Sequence, residues 1–133
     1  MATKILDSWA LMALFNNEPA ADAVEKVLEQ ATADRHKLLM SVVNWGEIYY
    51  SVRRGASAEM AEQKIREIAA MPIELVHVDL HQAHQAAIYK ATKKMSYADA
   101  FGAALAKIKN AEFVTGDPEF KEVEKEIKIN WLK

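Results

Sequence analysis

MSYADAFGAALAKIKNAEFVTGDPEF, residues Met95 to Phe120, decides how this chain is read. Phe101, Ala104, Leu105 and Ile108 recur at helical spacing and share one face. Glu112 to Thr115 is a short apolar run of strand type, followed at once by Gly-Asp-Pro. A helix, a strand and a second helix start thus follow one another without a linker. An aspartate stands at the head of each helix, Asp99 and Asp117. Each is either a cap or one corner of an acidic pocket, and the rest of the chain has to decide which.

Working outward, the same alternation repeats. Thr3 to Leu6, Lys37 to Val42, Ile73 to Val78 and Ile127 to Trp131 read as further strands, several of them nearly continuous in hydrophobicity, as strands covered on both faces are. Helical faces lie between them: Ala20, Val24, Val27, Leu28 and Ala31 form one, and Ala61, Ile65, Ile68 and Ala69 another. Pro19 suits the first position of the second helix, Asp79 the cap of a helix over Leu80 to Thr92, and Gly55 the end of the helix before Ser57. There is no repeat and no low-complexity tract. The order β, α, α, β, α, α, β, α, α, β, α, β predicts one α/β domain over residues 1–133 on a mostly parallel five-stranded sheet.

Composition narrows the chemistry. At 133 residues the chain can bury a core without covalent staples. Without cysteine it has no disulfide, thiol nucleophile or thiolate metal site, so a metal would be held by oxygen or imidazole. Asp7 interrupts the only apolar run near the N-terminus, no basic flank or cleavage site frames that run as a signal peptide, and no run approaches transmembrane length. A soluble cytoplasmic protein with no membrane partner is expected. A net charge of -2 excludes a generally basic nucleic-acid coat and restricts any RNA or DNA binding to a local patch.

The acids can now be placed. Asp7 and Asp117 follow the first and fourth strands directly, at the carboxyl edge where open α/β sheets bind ligands. Glu47 falls in the first turn of the helix after the second strand. Asp99 falls at the amino end of the helix that leads into the fourth, and that end faces the same edge if the helix runs antiparallel to the sheet. Four segments thus deliver one carboxylate each. Taken singly, every one also fits a cap: Asp7 and Asp117 as N-caps, the latter before Pro118, and Asn44 with Glu47 and Ser96 with Asp99 at capping-box spacing. Capping does not account for the small residues Gly102 and Ala103 beside Asp99, or for the hydroxyls of Ser8 and Thr115 beside two of the acids.

The stretches KILDSWALMALF, SVVNWGEIYYSVRR, MSYADAFGAALAK and FVTGDPEFKEVE, in this order across the whole chain, resemble the PIN domain, most closely the VapC-type toxin ribonucleases. That resemblance implies a three-layer α/β/α sandwich and cleavage of RNA phosphodiesters that depends on Mg²⁺ or Mn²⁺, with a metal-activated water as nucleophile. It also implies a cognate VapB-type antitoxin and a homodimer. One departure is Trp9, where many relatives carry a small polar residue two positions after the first aspartate; Ser8 is the nearest substitute. Independently of the family, four converging carboxylates raise each other's pKa, and a hard divalent cation removes the conflict. Asp7, Asp99 and Asp117 are the expected metal ligands, with Glu47 orienting or deprotonating the water and Glu119 a lesser candidate.

Ser8, Arg54 and Thr115 are the expected substrate contacts. Arg54 follows Glu47 by seven residues, on the same helical face. Lys93 and Lys94 could also meet phosphate, and Trp45, Tyr49 and Tyr97 could stack on bases or serve as core or dimer surface. Among other chemistries, His77, His81 and His84 could hold zinc or nickel, although they lack the HExxH spacing. Neither Ser8 nor Ser41 lies in a G-x-S-x-G elbow, and no G-x-G occurs among the 4 glycines to cradle a nucleotide. A PIN nuclease of RNA processing or DNA handling, and a non-catalytic partner-binding module, are the alternatives to a toxin. A short upstream reading frame encoding a DNA-binding antitoxin would favour the toxin.

Overall fold

The protein is described by a computed structural model covering residues 2–133. Five strands, β1 (Ala2–Leu6), β2 (His36–Ser41), β3 (Glu74–Val76), β4 (Glu112–Thr115) and β5 (Ile129–Trp131), form one sheet in the order β3-β2-β1-β4-β5. Every pairing in it is parallel. Helices α1 (Ser8–Phe15) and α2 (Ala21–Thr32) join β1 to β2, α3 (Val42–Gly55) and α4 (Ala58–Ala69) join β2 to β3, and α5 (Leu80–Thr92) and α6 (Tyr97–Lys109) join β3 to β4. A 3-10 segment, Pro118–Val123, leads to β5.

Period-two alternation splits each central strand between two cores. Ile5, Leu39 and Phe113 pack with Tyr89, Phe101 and Leu105 of α5 and α6. Their neighbours Leu6, Leu38, Met40 and Val114 pack with Leu11, Val24, Ile48 and Ile68 of α1 to α4. Helices therefore cover both faces, giving the expected α/β/α sandwich. Burying one such side chain stabilises the fold by about 1.5–3 kcal/mol, so neither layer is dispensable. β3 departs from the two-sided pattern: it is an edge strand, and Leu75 is exposed. No helix among the described residues is long and apolar enough to cross a membrane.

Local chemistry sets most boundaries. Asp7, Ser57, Asp79 and Ser96 cap their helices by accepting from the amides of Ala10, Met60, Gln82 and Asp99. α6 stops at Asn110, which takes the left-handed conformation (φ 49, ψ 47). Three expectations need correction. Pro19 lies in the turn before α2, which begins at Ala21. Gly55 is the last residue of α3 and has no positive φ, so the chain leaves the helix at Ala56. β2 ends at Ser41, whose hydroxyl accepts from the Val43 amide and starts α3 at once. Glu47 therefore sits in the second turn of α3, and Asn44 is a buried helical residue instead of half of a capping box.

Candidate active site

The chain order reverses between the neighbouring strands β1 and β4, and at such a switch point the following segments diverge and leave a crevice. Asp7 stands at the end of β1, and Asp117 two residues after β4. α6 presents its amino end to the same edge: a carboxylate oxygen of Asp99 lies within 4.8 Å of one from Asp117 and one from Glu119. A cleft of about 350 Å³ is lined by these three acids with Ser8, Trp9 and Glu47. A larger one, about 590 Å³, lies at the other end of β2 by His36 and Met71, where no acids converge.

The four expected acids reach this edge in different states. Asp7 is 2% exposed and lies outside both the lining of the cleft and the three-acid cluster, close enough to Asp99 and Asp117 to feel their charges. One of its oxygens accepts from the Ala10 amide at 3.0 Å, the other from the Thr115 hydroxyl at 2.5 Å. Burial pushes its pKa up to about 8 against these hydrogen bonds, and the charges of Asp99 and Asp117 add to the rise. Asp99 is partly buried. Burial and then the charges of Glu47, Asp117 and Glu119 push it up to about 7, with the Ser96 hydrogen bond opposing. Glu47 accepts from the Ser8 hydroxyl at 2.5 Å, across 39 residues of sequence. Asp117 accepts from the Glu119 amide at 3.0 Å, and that short Asx turn aims Glu119 back at Asp99.

The residues fit a hard divalent cation. The donors are all carboxylate oxygens, and the two most enclosed acids resist ionisation for want of a counter-charge. Asp99, Asp117 and Glu119 present oxygens within 4.8 Å of one another, and the buried Asp7 is coupled to Asp99 and Asp117 by charge. Glu119, the lesser candidate in the sequence, joins the cluster through the tight turn after Asp117. The imidazoles of His77, His81 and His84 are exposed and form no ligand cluster among the described residues.

The expected substrate contacts separate. Ser8 lines the cleft with its hydroxyl on Glu47. Thr115 is fully buried, and its hydroxyl is used inside the protein: it donates to Asp7 and accepts from the Asp117 amide at 3.0 Å. Its position makes it a brace between two acids and leaves nothing free for substrate. Arg54 is exposed with its guanidinium 5.2 Å from the centre of the Tyr50 ring, one turn beyond Ser51, which does line the cleft. Lys93 pairs with Glu126 at 3.2 Å.

Two contacts escaped the sequence reading. Gly102 leaves room for a side chain, not for backbone: an added Cβ would lie 2.9 Å from Asn44 Oδ1 and 3.2 Å from the Phe113 ring. Asn44, itself buried, donates to the Ala98 carbonyl at 3.0 Å and so ties α3 to the first turn of α6 beside Asp99. Gly116 has no positive φ, so its lack of a side chain is a matter of space. An added Cβ would meet Cη2, Cζ3 and Cζ2 of Trp9 at 2.3, 2.4 and 2.9 Å. The small residue immediately before Asp117 was the available signal.

Solved structures share this architecture across nearly their full length. A chain of VapBC2 from Rickettsia felis, crystallised with a promoter DNA fragment, is 14% identical, with a TM-score of 0.75 and 98% of this chain and 99% of that one covered. A chain of DNA-bound VapBC from Salmonella typhimurium is 17% identical, with a TM-score of 0.73 and 98% of each chain covered. VapC20 from Mycobacterium tuberculosis, described as a Sarcin-Ricin loop cleaving toxin, is 17% identical with a TM-score of 0.71 over 89% of this chain and 92% of that one. Comparison with curated proteins finds no match. The PIN domain family model matches residues 4–126, which takes in all four acids and most of both cores. The chain belongs to the PIN domain family.

Proposed function

We propose that this protein is a metal-dependent endoribonuclease, the toxin of a type II toxin-antitoxin pair, working in the cytoplasm as a single domain and a homodimer with a VapB-type antitoxin as its partner. The observation that carries the nuclease reading is the cluster at the switch point, with oxygens of Asp99, Asp117 and Glu119 within 4.8 Å of one another and the buried Asp7 coupled to two of them by charge. Membership of the PIN family supports nuclease chemistry. The likeness in fold to chains of VapBC complexes and to a toxin that cleaves the Sarcin-Ricin loop supports the toxin, the antitoxin and RNA.

Asp7, Asp99 and Asp117 would hold Mg²⁺ or Mn²⁺, with Glu119 completing the set. When bound, such a cation polarises the scissile phosphate and lowers the pKa of a water beside it. The protein's own groups do the rest. Glu47 takes the proton of the attacking water or orients it, and Ser8 holds that carboxylate in place. Thr115 keeps Asp7 and the turn at Asp117 in register. The acidic cleft repels the phosphate backbone until a cation is present, so substrate binding and metal binding are coupled.

The test is cleavage of cellular RNA by the purified protein with Mn²⁺, with Mg²⁺ and with EDTA, for the wild type and Asp99→Asn. Cleavage by the wild type with either metal, lost in EDTA and in the variant, is the expected result. Equal cleavage by Asp99→Asn, or cleavage that persists in EDTA, would overturn it. Expression with and without the product of an adjacent reading frame tests the toxin assignment separately, through growth arrest and its relief.

A further inference from the structure

The cleft has one wall that is neither acidic nor small. Trp9 stands on α1 two residues after Asp7, is partly buried, and lines the same cleft as Asp99, Asp117 and Glu47. Its ring is seated: the three carbons nearest an added Cβ at Gly116 are all in the six-membered ring, at 2.3, 2.4 and 2.9 Å. Two bonded carbons at almost equal distance, with the third little further, mean that Gly116 meets the face of the ring and not its rim. Gly116 separates β4 from Asp117, so the indole rests against the turn that positions one acid while its own helix begins at another. Neither the metal nor Glu47 has a use for an apolar plane there.

A rigid indole beside a phosphate-cleaving centre has the chemistry of a stacking platform, because every nucleobase offers a π-face and aromatic stacking is tolerant of sequence. We infer that Trp9, seated on Gly116, stacks against a nucleobase next to the scissile phosphate and thereby sets where the strand lies over the acids. This rests on the nuclease reading of the same cleft. Trp9 is a substrate-positioning residue here, acting on binding and alignment and not on proton transfer. Purines, with the larger π-face, are held more tightly than pyrimidines.

Binding is measured on the Glu47→Gln background, which prevents cleavage and leaves Asp7, Asp99, Asp117 and Glu119 in place for the metal, using oligoadenylate, oligouridylate and an abasic ribose-phosphate oligomer of equal length in Mn²⁺. The parent should prefer oligoadenylate to oligouridylate and both to the abasic strand. Trp9→Ala should bind the two base-bearing strands roughly 5- to 150-fold more weakly, the range base stacking spans, with the abasic strand unaffected. Trp9→Phe should recover most of the loss. Gly116→Ala, which pushes a methyl group into the ring, should imitate Trp9→Ala. Manganese titration and circular dichroism of each variant report on metal site and fold. Equal binding of abasic and base-bearing strands by the parent, or equal loss of all three in Trp9→Ala, overturns the platform and leaves the nuclease reading standing. If the wild type binds no manganese and cleaves no RNA, the reading of the whole cleft falls, and this inference with it.

Discussion

Asp7 does two jobs whose demands conflict. As the N-cap of α1 it needs only an acceptor, which asparagine supplies equally well; as a buried carboxylate it is costly without a cation. The sign of its pH effect follows. Its folded pKa, about 8, lies above the ordinary 3.8, so the native state keeps a proton that the unfolded chain releases. Metal-free stability should therefore fall as pH rises from about 4 to 8, with Asp99 contributing between about 4 and 7. Asp7→Asn should flatten this slope and, in EDTA at pH 8, melt higher than the wild type. Each pH unit of pKa displacement is worth about 1.4 kcal/mol, so a rise of several degrees is expected. A variant that melts lower at pH 8 would mean that the carboxylate is a structural anchor. Ser8 allows a sharper test of Glu47. Ser8→Ala removes the one side-chain hydrogen bond that Glu47 makes among the described residues and should lower kcat roughly 10- to 100-fold, as lost supporting contacts do at metal sites. Manganese affinity should be unchanged, and a parallel fall in affinity would place Glu47 among the ligands.

At the scale of elements, the site depends on how α6 meets α3 and β4. Asp99 is third in α6, anchored by the Ser96 cap, and both features are legible from the Ser-Tyr-Ala-Asp spacing. The rotation of the helix is set elsewhere, by Asn44 reaching the Ala98 carbonyl across the gap that Gly102 leaves. Gly102→Ala is informative because two effects oppose. Helix propensity favours alanine by about 1 kcal/mol. Against it, the new Cβ would stand 2.9 Å from the end of a short, buried and already tethered amide and 3.2 Å from an aromatic ring that cannot yield. Overpacking of this kind costs about 1–3 kcal/mol, so the net expectation is a loss of roughly 1 kcal/mol in denaturant melts, with weaker manganese binding as Asp99 shifts. A stabilised variant would show that the Asn44 tether is loose. The sequence marked Gly102 as making room next to Asp99 but not for what, since its neighbours come from residues 44 and 113.

For the whole molecule, metal is expected to act as part of the fold. With two of the proposed ligands, Asp7 and Asp99, holding protons near neutrality, cation binding would displace them, so manganese affinity should weaken steadily as pH falls from 8 to 6. Calorimetry in buffers of different ionisation enthalpy would count the protons released, and an affinity independent of pH in this range would remove Asp7 and Asp99 from the site. A ligand present at a hundred times its Kd stabilises by about 2.7 kcal/mol, on the order of 10 °C in Tm for a chain of this size. Wild type should show such a shift in manganese, and Asp99→Asn should not. A net charge of -2 leaves no general attraction to nucleic acid, so on the proposed function RNA would be held at the metal, at the proposed stacking wall and at isolated cations such as Arg54.

The element order, the parallel sheet and the arrival of acids at its carboxyl edge were determined by the sequence alone. These follow from interactions between residues a few positions apart: apolar periodicity in Phe101 to Ile108, caps at Asp7, Asp79 and Ser96, and strand runs ending in Asp7 and Thr115-Gly116-Asp117. Only the tertiary structure decided which acids come within 4.8 Å of one another, which one is buried away from the cleft, and what each small residue makes room for. Thr115 meets Asp7 across 108 residues and Ser8 meets Glu47 across 39. Burial and electrostatic repulsion are properties of such remote encounters, and no local pattern encodes them. Trp9 departs from the family pattern in the sequence, and its role becomes readable only with Gly116 beneath its ring.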